Sequence, residues 1–220
     1  MINVAIDGPA GAGKSTIAKK AAKDLGFIYV DTGAMFRAMA LYMVRSGADL
    51  DNSGDIAAKV GDADIDIVYE DGVQCVMLNG ENVNGLIRTE EISNAASKVA
   101  VVKEVRQKML VLQKDIAKKH DVIMDGRDIG SAVLPDADLK IYLTASVDVR
   151  AMRRYKENTE KGMASDLEAI KTDIRERDER DMTRAEAPLT KVPDAVEIDS
   201  SDMTIDEVVA KIEGLIREIR

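Results

Sequence analysis

Five short apolar runs, at residues 2–6, 27–30, 122–124, 139–143 and 195–198, alternate with longer stretches in which apolar side chains recur every three or four positions. Continuous runs of this length suit strands covered on both faces, and their alternation with helical periodicity predicts a parallel sheet wound by right-handed crossovers. Val99, Val102, Val105, Met109, Leu112 and Ile116 make a single apolar stripe on an otherwise charged helix. Near the C-terminus Thr204-Ile205-Asp206-Glu207 has the spacing of a capping box, and Ile205, Val208, Ile212, Leu215, Ile216 and Ile219 follow on one face. That helix is read as packing.

The pattern changes between residues 64 and 97. Ile65-Asp66-Ile67-Val68-Tyr69 and Val73-Gln74-Cys75-Val76-Met77-Leu78 flank the turn Glu70-Asp71-Gly72, with a second turn at Asn79-Gly80. Antiparallel strands that interrupt a strand-helix alternation predict an inserted subdomain, here over residues 64–97.

Composition narrows the choices. With 45% hydrophobic and 32% charged positions in 220 residues, the chain has enough apolar material for a full core, which excludes disorder and fibre. Its 31 Lys and Arg against 40 Asp and Glu give a net charge of -9. Such a field repels polyanions, so neither nucleic acid nor an anionic membrane is expected as a partner, and any phosphate must be bound locally. A single cysteine, Cys75, offers no internal disulfide or thiolate cluster. With no secretory pattern at Met1 and no run approaching about 20 apolar residues, the expected localisation is cytoplasmic.

The strongest chemical signal follows the first run: Gly8-Pro9-Ala10-Gly11-Ala12-Gly13-Lys14-Ser15-Thr16 opens a helix rich in Ala and Lys. This is G-x-x-x-x-G-K-[ST] between a strand and a helix. Its glycines let main-chain N–H groups converge on phosphate oxygens, Lys14 reaches the β and γ phosphates, and the Ser15 hydroxyl can sit on Mg2+. A nucleoside triphosphate, bound by residues 8–16, is the firmest expectation. The fold class is therefore α/β, a five-stranded parallel sheet of P-loop NTPase type flanked by helices, with a small antiparallel insert.

Such a loop serves switches, motors and kinases alike. The guanine-reading Asn-Lys-x-Asp of GTPase switches is missing, and further anion-binding candidates lie elsewhere. Asp31-Thr32-Gly33-Ala34-Met35-Phe36-Arg37 ends the second run and opens a helix. Asp125-Gly126-Arg127-Asp128-Ile129-Gly130 ends the third. Both deliver arginines to the carboxyl edge of the sheet, where α/β proteins bind ligands.

Together with Ile87-Arg88-Thr89, Asn94-Ala95-Ala96-Ser97, Arg177-Asp178-Glu179-Arg180-Asp181 and Arg184-Ala185-Glu186-Ala187-Pro188-Leu189, these segments make the chain resemble the bacterial cytidylate kinases over essentially its whole length. These are nucleoside monophosphate kinases of the phosphate-loop class. The resemblance implies a core domain at 1–63, 98–149 and 190–220, a monophosphate-binding insert at 64–97, and a helical lid region at 150–189. It implies transfer of the γ-phosphoryl of ATP to CMP or dCMP with Mg2+. It also implies that Thr32, Ser97, Arg106 and Asp128 face the nucleoside, that Arg37 and Arg127 hold its phosphate, and that Arg177, Asp181 and Arg184 complete the acceptor site.

Residue chemistry agrees with these roles while leaving alternatives open. A carboxylate at Asp128 would accept from the cytosine amine and repel the uracil carbonyl. Arg106 can donate to the adjacent ring nitrogen and carbonyl, or lie solvated on its helix. Ser97 is either a nucleoside contact or a helix-start residue. Arg177, Asp181 and Arg184, four and three apart, share one helical stripe, which is a site if it faces the crevice and an ion-pair ladder if it does not. Arg150, Arg153 and Arg154 share a face beside a prospective lid. There they either neutralise charge on the phosphoryl in flight, with Arg153 and Arg154 the catalytic candidates, or line a solvated helix. Asp125 either reaches a magnesium-bound water or caps the next turn.

Phosphoryl transfer through a loose transition state asks for alignment, Mg2+ and cations, which Lys14, Arg127 and lid arginines would supply. Phe36 stands where tyrosine is expected in many relatives, which removes a hydroxyl but keeps a ring for packing. His120 reads as a loop residue, and methionines such as Met39, Met43 and Met109 as core filler. A monomer is expected. The rival readings are a kinase for another nucleoside monophosphate or small acceptor, and a nucleotide-dependent switch.

Overall fold

The structure, a computed structural model, describes residues 1–70 and 73–219. In chain order its elements are β1 (Asn3–Asp7), α1 (Lys14–Leu25), β2 (Ile28–Asp31), α2 (Thr32–Arg45), α3 (Ser53–Lys59), β3 (Ile65–Glu70), β4 (Val73–Leu78), β5 (Glu81–Asn82), α4 (Glu90–Val99), α5 (Lys103–Ala117), β6 (Val122–Gly126), β7 (Leu139–Thr144), α6 (Val147–Glu160), α7 (Leu167–Thr183), β8 (Val196–Asp199) and α8 (Ile205–Glu218). Two compact units emerge, one of Ile28–Asp121 with Met1, the other of Ile2–Phe27 with Val122–Arg220.

The second unit contains parallel strands in the order β6-β1-β7-β8, and β2 is the fifth strand of that sheet. All five expected strands are present, most of them ending a residue or two beyond the apolar run because the closing polar residue still pairs. In the register of β1 with β6, Ile6 faces Asp125 and Asp7 faces Gly126. The loops after these two strands therefore leave the sheet side by side at its carboxyl edge. Val4, Ala5, Ile6, Ile123 and Met124 are fully buried between flanking helices, as a doubly covered sheet requires. Helix α8 buries Val208, Val209, Ile212 and Ile216 and closes its N-terminus with the Thr204–Glu207 capping box. Ile205 and Ile219, at its two ends, stay largely exposed. Helices α6 and α7 have their own small core, where Ala151, Ile170 and Ile174 pack with Val147, Tyr155 and Leu167.

The first unit carries the expected hairpin. Strands β3 and β4 pair antiparallel from Ile65 opposite Leu78 to Glu70 opposite Val73, and β5 joins as a third strand. Asp71 and Gly72 of the first turn lie outside the described residues. The second turn runs through Asn79 and Gly80 at φ 49° and 81°, the left-handed pair that a two-residue hairpin demands. Met35, Met39, Met43 and Met109 are fully buried filler. The stripe from Val99 to Ile116 is divided between two helices, since α4 ends at Val99 and α5 starts at Lys103, with Val102 as its N-cap residue. Three β-branched residues within four positions, Val99, Val101 and Val102, disfavour an uninterrupted helix. The apolar period carries across the break, so the pattern alone does not reveal it. In α5 the buried positions are Val105, Met109, Gln113 and Ala117, so the polar Gln113 is buried while its neighbour Leu112, and Ile116, both of the expected stripe, are only partly buried.

Candidate active site

The loop between β1 and α1 has the conformation its motif implies. At Gly8, φ is 150° and an added Cβ would lie 1.9 Å from the Leu143 carbonyl oxygen, so no other residue fits there. Buried Lys14 donates from Nζ to the carbonyls of Gly8 and Pro9, both at 2.7 Å. Burial, and next the Arg127 guanidinium, hold its pKa well below the usual lysine value, against the pull of Asp125, Asp7 and Asp181. One residue on, Ser15 Oγ donates to Asp125 Oδ2 at 3.0 Å. The end of β6 is thus tied to the first turn of α1.

Asp7, the last residue of β1, is a component that motif reading passed over. Its Oδ1 accepts from the Ile129 amide at 2.8 Å and its Oδ2 from the Gly130 amide at 2.7 Å. These amides open the single π-helical turn Ile129–Val133, directly after Arg127 and Asp128. One buried carboxylate therefore fixes the backbone that carries both residues. Burial raises its pKa from 3.8 to about 6, against the two amide bonds. Folding then favours the protonated form, so Asp7 withdraws stability as pH climbs from 3.8 through about 6. Asp7→Asn removes this titration. Between about pH 4.5 and pH 7.5 the stability difference should move in the variant's favour by about 2 kcal/mol in urea unfolding, and a difference independent of pH would refute the assignment.

The loop after β6 meets the end of α7 in a network of opposite charges. Arg127 Nε donates to Asp181 Oδ2 at 2.8 Å, and Arg184 Nη2 donates to Asp128 Oδ1 at 3.3 Å with Nη1 3.9 Å from Asp181 Oδ1. Asp128, Asp181 and the Arg184 side chain are all buried. Burial works against ionisation of Asp181, but Arg127, Arg177 and Arg184 outweigh it and hold the carboxyl below its usual range. The stripe on α7 thus faces inward rather than forming a surface ladder, although Arg184 stands one residue past the helix and takes its place through bonds to the Ala187 carbonyl.

The three arginines of α6 part company. Arg153 donates to the Ser200 carbonyl at 2.7 Å and lies against Gly13 of the phosphate loop. Arg154 is paired with Asp173 at 2.5 Å, partly exposed. Arg150 is turned inward against Asp178.

In the first unit, Asp31 caps α2 by accepting from the Ala34 amide at 2.8 Å. The same carboxylate accepts from Arg37 Nη2 at 3.1 Å and from Arg88 Nη2 at 3.0 Å, so two guanidiniums converge on one buried acid beside buried Thr32. Arg37 Nε is buried with no hydrogen-bond partner among the described residues. Arg88 was not among the expected contacts, although its segment was part of the resemblance. Gln74 of β4 clasps Asp31 as well, accepting from its amide at 2.7 Å. Ser97 lies half-buried late in α4, whose cap is Thr89, so it is not a helix-start residue. Arg106 donates to the Ala100 carbonyl at 3.1 Å and spreads over the Phe36 ring, 5.6 Å from its centroid. Phenylalanine thus retains the ring face that an arginine uses.

Comparison with known proteins bears on the identity of these networks. The cytidylate kinase of Lactobacillus gasseri is 50% identical over 218 residues, covering 99% of this chain and 95% of its own. That of Caldicellulosiruptor saccharolyticus is 50% identical over 211 residues, covering 96% and 93%. A solved but uncharacterised protein from Eubacterium ventriosum shares the fold alone, with a TM-score of 0.54 at 13% identity over 99% of both chains. The cytidylate kinase family model matches residues 4–218, the span that holds the phosphate loop, the Arg127–Asp181 and Asp128–Arg184 pairs and the Asp31 cluster, and the chain belongs to that family.

Proposed function

We propose that the protein transfers the γ-phosphoryl group of ATP to CMP or dCMP, giving ADP and CDP or dCDP. The observation that carries this reading is the adjacency of β1 and β6: the phosphate loop leaves one strand, Arg127 and Asp128 leave its hydrogen-bonded neighbour, and Lys14 feels the charges of Arg127 and Asp181. A donor loop and a cationic acceptor cluster side by side suit an in-line transfer between two phosphates.

Each residue has a task in this reading. Main-chain amides of residues 8–16 hold the donor phosphates, and Lys14 follows the charge that moves to the leaving oxygen. Arg127 binds the acceptor phosphate, with Arg37 assigned the same task on its unsatisfied Nε. Asp128, whose carboxylate oxygens only accept, favours the cytosine amine over the uracil carbonyl. Arg184 keeps that carboxylate oriented, and Arg177 and Asp181 complete the acceptor side. Thr32, Ser97 and Arg106 are assigned to the nucleoside, and Arg153 and Arg154 to the lid at residues 150–189 that excludes water. The acceptor phosphate is already an anion, so no strong base is needed.

Among the described residues no three carboxylates, histidines or cysteines gather to cage a metal. The Ser15–Asp125 pair fits Mg2+ all the same, because that ion keeps most of its waters and binds through one or two protein groups and the nucleotide's oxygens. Ser15 would ligate directly and Asp125 through water; when bound, the ion would neutralise charge on the donor phosphates.

ADP release from ATP-Mg2+ measured with CMP, dCMP, UMP, AMP and no acceptor tests the assignment. Turnover is expected with the two cytosine nucleotides. Turnover with another acceptor, or slow hydrolysis independent of any acceptor, would replace it by one of the rival readings. Within the same assay Phe36→Leu, which removes the ring beneath Arg106, should raise KM for CMP about threefold with KM for ATP unchanged, while Phe36→Tyr stays at the parent value.

A further inference from the structure

The geometry points to Arg150 as a positioning residue of the donor loop, one that holds the Ala10–Gly11 peptide so that its amide can serve the phosphates. The inference rests on the reading of that loop as the seat of ATP. On sequence grounds Arg150 belongs with Arg153 and Arg154 as a lid cation or a solvated residue, and its surroundings fit neither. It is 4% exposed. Its Nε donates to the Ala145 carbonyl at 2.9 Å, Nη1 to the Ala10 carbonyl at 3.0 Å and to Asp178 Oδ1 at 3.1 Å, and Nη2 to Asp178 Oδ2 at 2.6 Å. A guanidinium has five N–H groups, and these contacts occupy four of them. To reach a phosphoryl group, Arg150 would have to abandon a buried bidentate pair.

The contact to Ala10 has a consequence for the loop. In a trans peptide the carbonyl and the following amide point in opposite directions, so a bond that fixes the Ala10 oxygen also fixes the direction of the Gly11 N–H. This peptide needs restraint. Gly11 has φ 78°, and glycine crosses between positive and negative φ at little cost, so nothing in its own chemistry prevents the unit from turning over. A turned peptide would present an oxygen where the loop needs a donor. The stem of Arg150 covers the same glycine, since a Cβ at Gly11 would meet Arg150 Cβ at 3.4 Å. Asp178 reaches the guanidinium from α7, so α6 and α7 jointly set the loop, and the pair joins the two helices whose apolar contact is Ala151, Ile170 and Ile174.

The test replaces the pair without leaving a buried charge. In the double variant Arg150→Met with Asp178→Leu, apolar side chains fill the site, an exchange that buried ion pairs often tolerate. KM for ATP and the dissociation constant of ADP from calorimetry are each expected to rise about tenfold, with KM for CMP within about twofold of wild type and the melting temperature retained. Unchanged ATP and ADP constants in the folded variant would overturn the inference. If the double variant does not fold, the isosteric Asp178→Asn takes its place: a rise of about threefold in the ATP constant supports the inference, and an unchanged constant overturns it. If ATP is not the donor at all, the wild-type protein itself binds neither ADP nor ATP, a result distinct from wild-type binding that the variants preserve.

Discussion

Lys14→Met should lower kcat/KM for ATP by about a thousandfold or more and leave the protein at least as stable as it was. The two effects have opposite signs for one reason. Lys14 is an ammonium buried behind its own loop, and burial together with Arg127 pushes its pKa well down. A lysine whose pKa falls on folding costs stability at every pH below the lowered value, and the cost is relieved only between that value and the ordinary 10.5. Removing the charge removes the cost. Two bonds to the Gly8 and Pro9 carbonyls are lost with it, and a methionine leaves those carbonyls without that donor, which offsets part of the gain. In the proposed reaction activity has no such compensation, because there the cation would answer the charge on the transferred group. Thermal melts and steady-state kinetics on one preparation decide the matter. A variant that loses activity only in proportion to lost stability would show that Lys14 is structural.

How much of this was readable from residue order depends on what each position answers to. The strands are legible because each is built on a short apolar run: β1 and β6 are covered on both faces, β8 buries Ile198 and exposes Glu197, and burial of either kind is written locally. The hairpin at β3 and β4, whose strands are only partly buried, is legible from its two β-branched apolar runs and from Asn79-Gly80, whose left-handed geometry few other residue pairs supply. The division between α4 and α5 is invisible in the pattern because Val99 and Val102 both keep the helical period while the backbone between them does not. Periodicity reports which face is buried and is silent about a break that preserves the face.

Charged residues were less readable, since their environment is made by distant segments. Asp7 looks like any acid ending a strand, and only the fold shows it accepting from Ile129 and Gly130, more than a hundred residues on. Arg150, Arg153 and Arg154 are equivalent by helical position and differ completely in surroundings, with Asp178, Ser200 and Asp173 as their respective partners. The arginine pairs on Asp31 could have been suspected. Arg37 lies six residues from that acid and Arg88 sits in a segment already noted, but a shared carboxylate has no signature in spacing when one partner is 57 positions away.

Arg127→Leu carries the other large expectation, a loss of about a hundredfold or more in kcat together with about 2 kcal/mol of stability. The stability part follows from Asp181. Its carboxyl is buried yet held below the ordinary 3.8, because Arg127, Arg177 and Arg184 together overcome the penalty of burial. An acid whose pKa falls on folding contributes stability that is present above its unfolded pKa and is lost as pH drops through the lower folded value. Arg127 is the largest of the three attractive influences, so its removal should raise the folded pKa of Asp181 and shrink that contribution. Breaking one partner of a buried pair typically costs more, but the two remaining arginines soften the loss. Lys14 should respond in the reverse sense, with its pKa recovering part of the way once the nearby guanidinium is gone. Unfolding free energies from about pH 3 to pH 8 separate these terms, since the variant's deficit should be largest near neutrality and narrow towards acid. A deficit equal at all pH values would mean that Arg127 packs without supporting the charge of Asp181. Kinetics then gives the functional half. If Arg127 grips the acceptor phosphate, KM for CMP rises with the fall in kcat while KM for ATP does not, and equal changes in both would instead assign this guanidinium to the fold.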